Sequence, residues 1–337
     1  MPSKHEEHLR GLLGKFKGKK IAVVGDVMLD RYYWGSVHRV SPEAPVPVVE
    51  VDTESVRFGG AANVANNIQA LGGTPFVVGL VGDDYPGAQF TKMMKDQGFD
   101  TSGIVIDPSR PTTIKTRVIA AGQHVVRIDN ESKQDCPAPL RAGFVDALRS
   151  NIGSIDGIII EDYNKGAITR DLIRSIIALA AEHDKPVTVD PKFNNFFEYR
   201  GVTVFKPNRR EVEEAVGGKL STISDVDRAG KRLLADLGAK NVLLTRGEEG
   251  MSLYCADGAV RHFPTTAEVV QDVSGAGDTV IATLTMALVS GGKIAESCML
   301  ANCAGGVVVG SVGIVPVLPD RLLESALRWM DGPEEPF

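Results

Sequence analysis

Six short apolar runs punctuate the chain: Ile21–Gly25, Phe76–Val81, Gly157–Ile160, Pro186–Val189, Val202–Phe205 and Asn241–Thr245. They are nearly continuous in Val, Ile and Leu, the composition of strands covered on both faces. Between them lie segments of helical period, Ala61–Leu71, Tyr85–Gln97, Pro139–Asn151, Arg170–His183, Arg209–Val216 and Val226–Leu237. Three more, Gly277–Val289, Lys293–Val309 and Arg321–Met330, follow the last run. Strands that alternate with helices can pair in parallel, because each helix supplies the crossover. The pattern predicts an α/β fold with one doubly wound, mostly parallel sheet, and residues 1–337 are expected to form a single unit.

Two stretches break this rhythm. Arg31 to Phe58 contains Tyr32-Tyr33-Trp34, then Pro42, Pro45 and Pro47, then an alternating Val48–Val51 segment. Proline confines such strands to edges and bends. Thr112–Ala120 and His124–Ile128 alternate polar and apolar residues around Ala121-Gly122-Gln123, as a hairpin would. Residues 31–58 and 112–128 are expected to form a small separate β-sheet acting as a lid, with two unrelated surface hairpins as the alternative. Exposed apolar positions on a lid suit a second copy of the chain, so a homodimer through the lid is expected.

The net charge of −6 recommends neither nucleic acid nor an anionic membrane as partner. No apolar run reaches the roughly 18 residues of a membrane span, and the polar first 20 residues lack a secretory core. Cys136, Cys255, Cys298 and Cys303 lack CxxC spacing, as buried thiols of a reducing cytoplasm would. A cytoplasmic location is expected. His5-Glu6-Glu7-His8 lacks metal-site spacing and is expected to be solvated surface.

Chemistry concentrates near the C-terminus. Gly275-Ala276-Gly277-Asp278 opens a helix after the turn-rich Gln271-Asp272-Val273-Ser274. Backbone amides at a helix start make an anion cradle, and phosphate is a common occupant. A carboxylate beside bound phosphate suits a group that takes a proton from an attacking hydroxyl. Alone, the same four residues also fit ordinary helix capping. The apolar runs, however, nearly all end in polar residues: Asp26, Asp83-Asp84, Glu161 to Lys165, Asp190-Pro191-Lys192 and Lys206-Pro207-Asn208. In open α/β sheets that rim is where ligands bind. Gly59-Gly60-Ala61-Ala62-Asn63 starts another helix, where paired glycines allow close approach to a ligand or close helix packing. Asn208 and Glu211 have capping-box spacing. The P-loop and the dinucleotide-binding glycine motif are both absent.

Together these residues resemble the ribokinase-like (PfkB) carbohydrate kinases over almost the whole chain. The two signatures are Gly59-Gly60-Ala61-Ala62-Asn63 and Asp272-Val273-Ser274-Gly275-Ala276-Gly277-Asp278-Thr279. Gly25-Asp26-Val27-Met28-Leu29-Asp30-Arg31-Tyr32 and the Arg39–Val48 segment look like one subgroup, the D-glycero-β-D-manno-heptose-7-phosphate kinases of lipopolysaccharide core synthesis. Many of these are fused to an adenylyltransferase; without an HxGH motif, this chain looks like the stand-alone kinase.

The resemblance implies ATP, Mg²⁺ and a monovalent cation, K⁺ being the candidate, with a sugar phosphate as acceptor. It makes Asp278 the base and gives the amides of Gly275, Ala276 and Gly277 the γ-phosphoryl charge. Asn208 and Glu211 match the element that orders Mg²⁺ and its waters; Thr245, Gly247 and Asn302 fall in the nucleotide groove. Asp30, Gly59, Gly60 and Asn63 fall at the sugar, and Asp272 and Ser274 match a monovalent-cation loop. A sugar phosphate also needs cations, for which Lys115, Arg117, Arg127, Lys165 and Lys192 are the candidates. The helix dipole is expected to keep Asp278 ionised and a weak base. Another sugar or sugar-acid kinase of this fold, or a non-catalytic sugar or nucleotide sensor, are the alternatives.

Overall fold

The computed structural model describes residues 4–311 and 313–332; residues 1–3, 312 and 333–337 of the expected unit lie outside it. The strands are β1 Lys20–Gly25, β2 Val27–Val40, β3 Pro47–Gly60, β4 Thr74–Gly82, β5 Ile104–Asp107, β6 Ile114–Ala120 and β7 Gln123–Asn130. They continue with β8 Gly157–Glu161, β9 Val187–Asp190, β10 Val204–Phe205, β11 Asn241–Thr245, β12 Met251–Cys255 and β13 Val260–Phe263. The helices are α1 Lys4–Gly14, α2 Ala61–Ala70, α3 Tyr85–Asp96, α4 Ala138–Asn151 and α5 Arg170–Glu182. After them come α6 Arg209–Val216, α7 Ile223–Leu237, α8 Ala276–Val289, α9 Ile294–Val308 and α10 Pro319–Met330.

One nine-stranded sheet has the order β13-β12-β11-β10-β9-β8-β1-β4-β5. Its pairs from β11 through β5 are parallel, while β12 and β13 add an antiparallel edge. Side chains alternate across this sheet with the period of two that a pleated strand imposes. Ile21, Val23, Ile159 and Leu243 enter one core with residues of α1, α2, α8, α9 and α10. Ala22, Val24, Ile158, Ile160, Val242 and Leu244 enter the other, with α4, α5 and α7. This two-sided burial explains why the sheet-forming runs are apolar throughout rather than alternating.

α8 is the central helix of the first core. Every residue from Asp278 to Ala287 is buried, so it is apolar nearly all round. His5, Glu7 and His8 are solvent-exposed as expected, on the outer face of α1, whose Leu9 and Leu12 are buried and whose His8 pairs with the buried Glu296 carboxylate of α9. Its apolar spacing is short and its charges are many, which hid the helix.

The two rhythm-breaking regions join in one four-stranded sheet, β3-β2-β6-β7, so they are not unrelated hairpins. β2 starts one residue after Asp26 at the end of β1, and β3 runs straight into α2 through Gly59 and Gly60. The small sheet thus grows directly from the rim of the large one.

Candidate active site

The rim gathers polar groups from distant parts of the chain. Asp278 lies in the first turn of α8, behind Gly275 in the left-handed conformation (φ 77°). No side chain caps this helix start, so its first amides stay open to a ligand. The Ala276 N–H turns back to the Val273 carbonyl (3.3 Å), which makes it the least available donor of the expected trio.

The Asp278 carboxylate is buried, and each oxygen accepts one hydrogen bond. Asn63 Nδ2 donates to Oδ2 (2.6 Å) and the Tyr163 hydroxyl to Oδ1 (2.8 Å). Burial pushes the carboxyl up to about 6, against those two bonds; the Asp190 charge raises it further and the Lys206 ammonium lowers it. Asp278 is therefore a stronger base than the helix dipole alone predicts, because loss of water outweighs the dipole. Asn63 is itself pinned: its backbone carbonyl accepts from Asn67, whose Oδ1 accepts from Thr279 (2.9 Å each). The Oδ1 of Asn63 is buried with no protein donor, an acceptor left for a substrate hydroxyl.

Below Asp278, nearest oxygens of Glu161, Asp190 and Asp278 lie within 4.8 Å of one another. The Lys206 ammonium, buried, sits on Asp190 (2.8 Å). A Cβ built on Gly277 would lie 3.7 Å from Lys206 Nζ, so this cation adjoins the amide cradle. Glu161 is fully buried and neither of its oxygens has a donor. Burial, then the charges of Asp190 and Asp278, hold its carboxyl well above the usual range. Among the described residues, Lys192 bridges Asp190 (3.5 Å) and Glu211 (2.5 Å) and does not pair with the small sheet.

Asn208 and Glu211 form the capping box their spacing predicts: Asn208 Oδ1 accepts from the Glu211 amide and Glu211 Oε2 from the Asn208 amide (2.9 and 2.8 Å). Thr245, Gly247 and Asn302 line one cavity of about 430 Å³, with Ala276 and Gly277 at its wall. Met251, Val280 and Val309 give that cavity apolar sides, suited to a planar base. Asn302 Nδ2 donates to the Pro264 carbonyl (2.7 Å). Asp272 accepts the amides of Ser274 and Gly313 (2.9 and 3.0 Å), which fixes the turn before Gly275.

On the small sheet, Asp30 is buried and paired with Arg117. Its register partners are Lys115 on β6 and Arg57 on β3, so all three share one face. Tyr32 lies on that face too, with the Arg57 and Arg117 guanidinium carbons 5.6 and 5.2 Å from its ring centre. Gly59 is required here, since a Cβ would come 2.2 Å from Asp30 Oδ2. At Gly60 the φ of 57° and the Asp26 carbonyl 2.3 Å from a built Cβ exclude a side chain as well. Lys115 and Lys165 converge on Glu131 (3.4 and 2.6 Å), and Lys115 also reaches Asp129 (3.3 Å). Arg127 pairs with Asp129 and is mostly solvent-exposed.

Sequence reasoning put Glu161, Tyr163 and Lys206 on the ligand rim without a role for any of them, and passed over Arg57. The first two sit at the end of the Gly157–Ile160 run and Lys206 at the end of Val202–Phe205, so strand ends were the available signal.

The model of the pfkB family carbohydrate kinases matches residues 18–321. Bifunctional protein HldE of Geobacter metallireducens is 46% identical over 303 residues, 90% of this chain and 62% of that protein. Bifunctional protein HldE of Helicobacter pylori is 44% identical over 295 residues, 88% of this chain and 64% of that protein. The chain thus spans less than two thirds of the length of these relatives. Among solved structures, Arabidopsis thaliana ribokinase complexed with ribose and ATP superposes with a TM-score of 0.72 at 19% identity, over 92% of this chain and 99% of that one. The tetrameric inhibited form of Escherichia coli phosphofructokinase-2 gives 0.74 at 16% identity, over 92% and 99%. At such identities the likeness establishes the fold.

Proposed function

The chain belongs to the pfkB family of carbohydrate kinases, which are ATP-dependent sugar kinases, and we propose that its acceptor is D-glycero-β-D-manno-heptose 7-phosphate. The γ-phosphoryl of ATP would pass to the anomeric 1-hydroxyl, giving the 1,7-bisphosphate for ADP-heptose and the lipopolysaccharide core. The observation that carries a kinase reading is the buried Asp278 carboxylate beside an uncapped helix start, held by the Nδ2 of Asn63, whose Oδ1 has no protein donor. The heptose reading rests on the HldE relatives and on the segment from Gly25 to Val48.

In this reading Asp278 accepts the hydroxyl proton, and the amides near Gly277 with the Lys206 ammonium meet charge that spreads over the equatorial oxygens in transfer. Asp30, Gly59, Gly60 and Asn63 shape the sugar site; Thr245, Gly247 and Asn302 line the nucleotide groove. Glu211 fits a water-mediated contact to Mg²⁺, because each of its oxygens holds one donor and keeps a lone pair, and this ion retains waters. Bound Mg²⁺ would neutralise charge on the β- and γ-phosphates. K⁺ at Asp272 and Ser274 is proposed on the family resemblance.

Coupled ADP release with heptose 7-phosphate, fructose 6-phosphate and ribose tests the acceptor. The heptose phosphate should lead ribose in kcat/KM by on the order of 10⁴, the scale set by buried polar groups left unpaired by a wrong substrate. Equal turnover with ribose would remove the phosphosugar assignment.

The small sheet is proposed to close over the sugar as a lid and to pair between subunits. β7 is exposed along its length, and Val126 and Ile128 are 47% and 56% exposed. Light scattering should show a dimer that a Val126→Glu, Ile128→Glu double variant converts to monomer. A wild-type monomer with full turnover would contradict the pairing.

A further inference from the structure

The loop after β8 is clamped by two buried carboxylates, Asp26 from the end of β1 and Asp162 at the loop's own start. Asp26 accepts the amides of Tyr163 (2.7 Å), Lys165 (3.1 Å) and Ala167 (3.0 Å). Asp162 accepts the Asn164 amide (2.8 Å), Asn195 Nδ2 (3.0 Å) and the Tyr199 hydroxyl (2.6 Å). Two left-handed residues, Asn164 (φ 54°) and Gly166 (φ 83°), complete the tight path. A Cβ at Gly166 would lie 1.9 Å from the Gln134 carbonyl, so the path is enforced from outside as well. So much fixed backbone on so short a loop gives Tyr163 one setting. Its ring is held too, with the Lys192 ammonium 5.0 Å from the ring centre.

We infer that Tyr163 is a positioning residue for phosphoryl transfer: its hydroxyl and the Asn63 amide grip the two oxygens of Asp278 and fix the plane of that carboxylate towards the acceptor hydroxyl. This rests on the kinase reading of Asp278. A carboxylate has about four lone-pair sites, so two donors orient it and still leave a site for the substrate hydroxyl. The grip matters because the only covalent link between Asp278 and its helix, one Cα–Cβ bond and a soft terminal torsion, leaves the carboxylate plane free to turn. Small losses of alignment at a reacting centre are costly.

The grip has an electrostatic signature. A hydroxyl that donates to a carboxylate favours its ionised form. The charged and titratable groups facing Asp278 are Glu161 at the end of β8, Tyr163, Asp190 at the end of β9 and Lys206 after β10. Removing the one donor while the others stay must raise the pH at which Asp278 deprotonates.

Tyr163→Phe keeps the ring and deletes only the hydroxyl. Its kcat should fall about 10-fold or more, with KM for ATP within twofold of wild type. The acid limb of the kcat/KM–pH profile should move up by about one pH unit. Incorporation of 3-fluorotyrosine at position 163 strengthens the donor and should move the limb the opposite way, which keeps the test open if the phenylalanine variant folds poorly. A profile with the same acid limb in both proteins overturns the inference, even if turnover falls. Should Asp278→Asn retain normal turnover, the kinase reading itself has failed and the tyrosine was never tested against the right base, so that variant is measured first.

Discussion

Asp278→Asn is expected to lower kcat by about 10²–10⁴, the usual range for a positioned acid–base group, while ATP still binds. The amide is nearly isosteric with the carboxylate, so α8 should keep its place and the cavity lined by Thr245, Gly247 and Asn302 should be untouched. Isothermal titration with an ATP analogue separates the two effects, and near-normal turnover would strip Asp278 of its role. The wild-type pH profile carries a linked expectation. The base must be ionised, and burial pushes its carboxyl up to about 6. Activity should therefore fall as pH drops through about 6, about two units above where an ordinary aspartate would lose it. An acid limb near 4 would mean that water reaches Asp278 during turnover.

Much of this site was legible in the sequence for a simple reason. Gly275 to Asp278 and Gly59 to Asn63 are contiguous segments, each of which starts a helix, so a local pattern carried the information. The parallel sheet was equally visible, since strands buried on both faces are apolar at every position. What stayed hidden was set by contacts between remote segments. Tyr163 reads as loop composition until the fold brings it across 115 residues to Asp278. Lys206 looks like an exposed charge after a strand, yet it is buried on Asp190 beside Gly277. β5 and β13 escaped notice because edge strands are short and partly exposed, and their patterns resemble loops; β12 is interior and buried, but its five residues are broken by Ser252 and carry no long apolar run. β2 and β3 were recognised only in fragments, because Pro42 and Pro45 mark the turn between them more strongly than their alternation marks the strands.

The cations that would hold the sugar phosphate could not be chosen from sequence, and the structure sorts them into separate groups. Lys192 belongs with Asp190 and Glu211, Arg117 with Asp30, and Arg127 faces solvent. Of the five, Lys115 and Lys165 share the half-buried Glu131 carboxylate, while Lys115 shares Asp129 with the exposed Arg127. Lys115 is directly across the strand pair from Asp30. Lys165 follows two residues after Tyr163, at most ~7 Å along the chain from the residue that touches Asp278. A sugar with its anomeric hydroxyl at Asp278 and its far end at these lysines would span the site. We propose that Glu131 stands in for the phosphate when the sugar is absent. A phosphate monoester carries more charge and three acceptor oxygens, so it competes well for both ammonium groups. Each charge-assisted bond contributes about 1.5–3 kcal/mol, which puts a Lys115→Met, Lys165→Met double variant at a KM for the phosphosugar about 10²–10⁴ higher. KM for ATP should hold, and Arg127→Ala, an exposed pair, should change little. Glu131→Gln gives the opposite sign: with the competing charge gone, KM for the phosphosugar should fall several-fold while kcat stays. Steady-state kinetics on these variants decide the matter, and an unchanged phosphosugar KM in both the lysine double variant and Glu131→Gln would leave the phosphate to the other basic groups around Asp30.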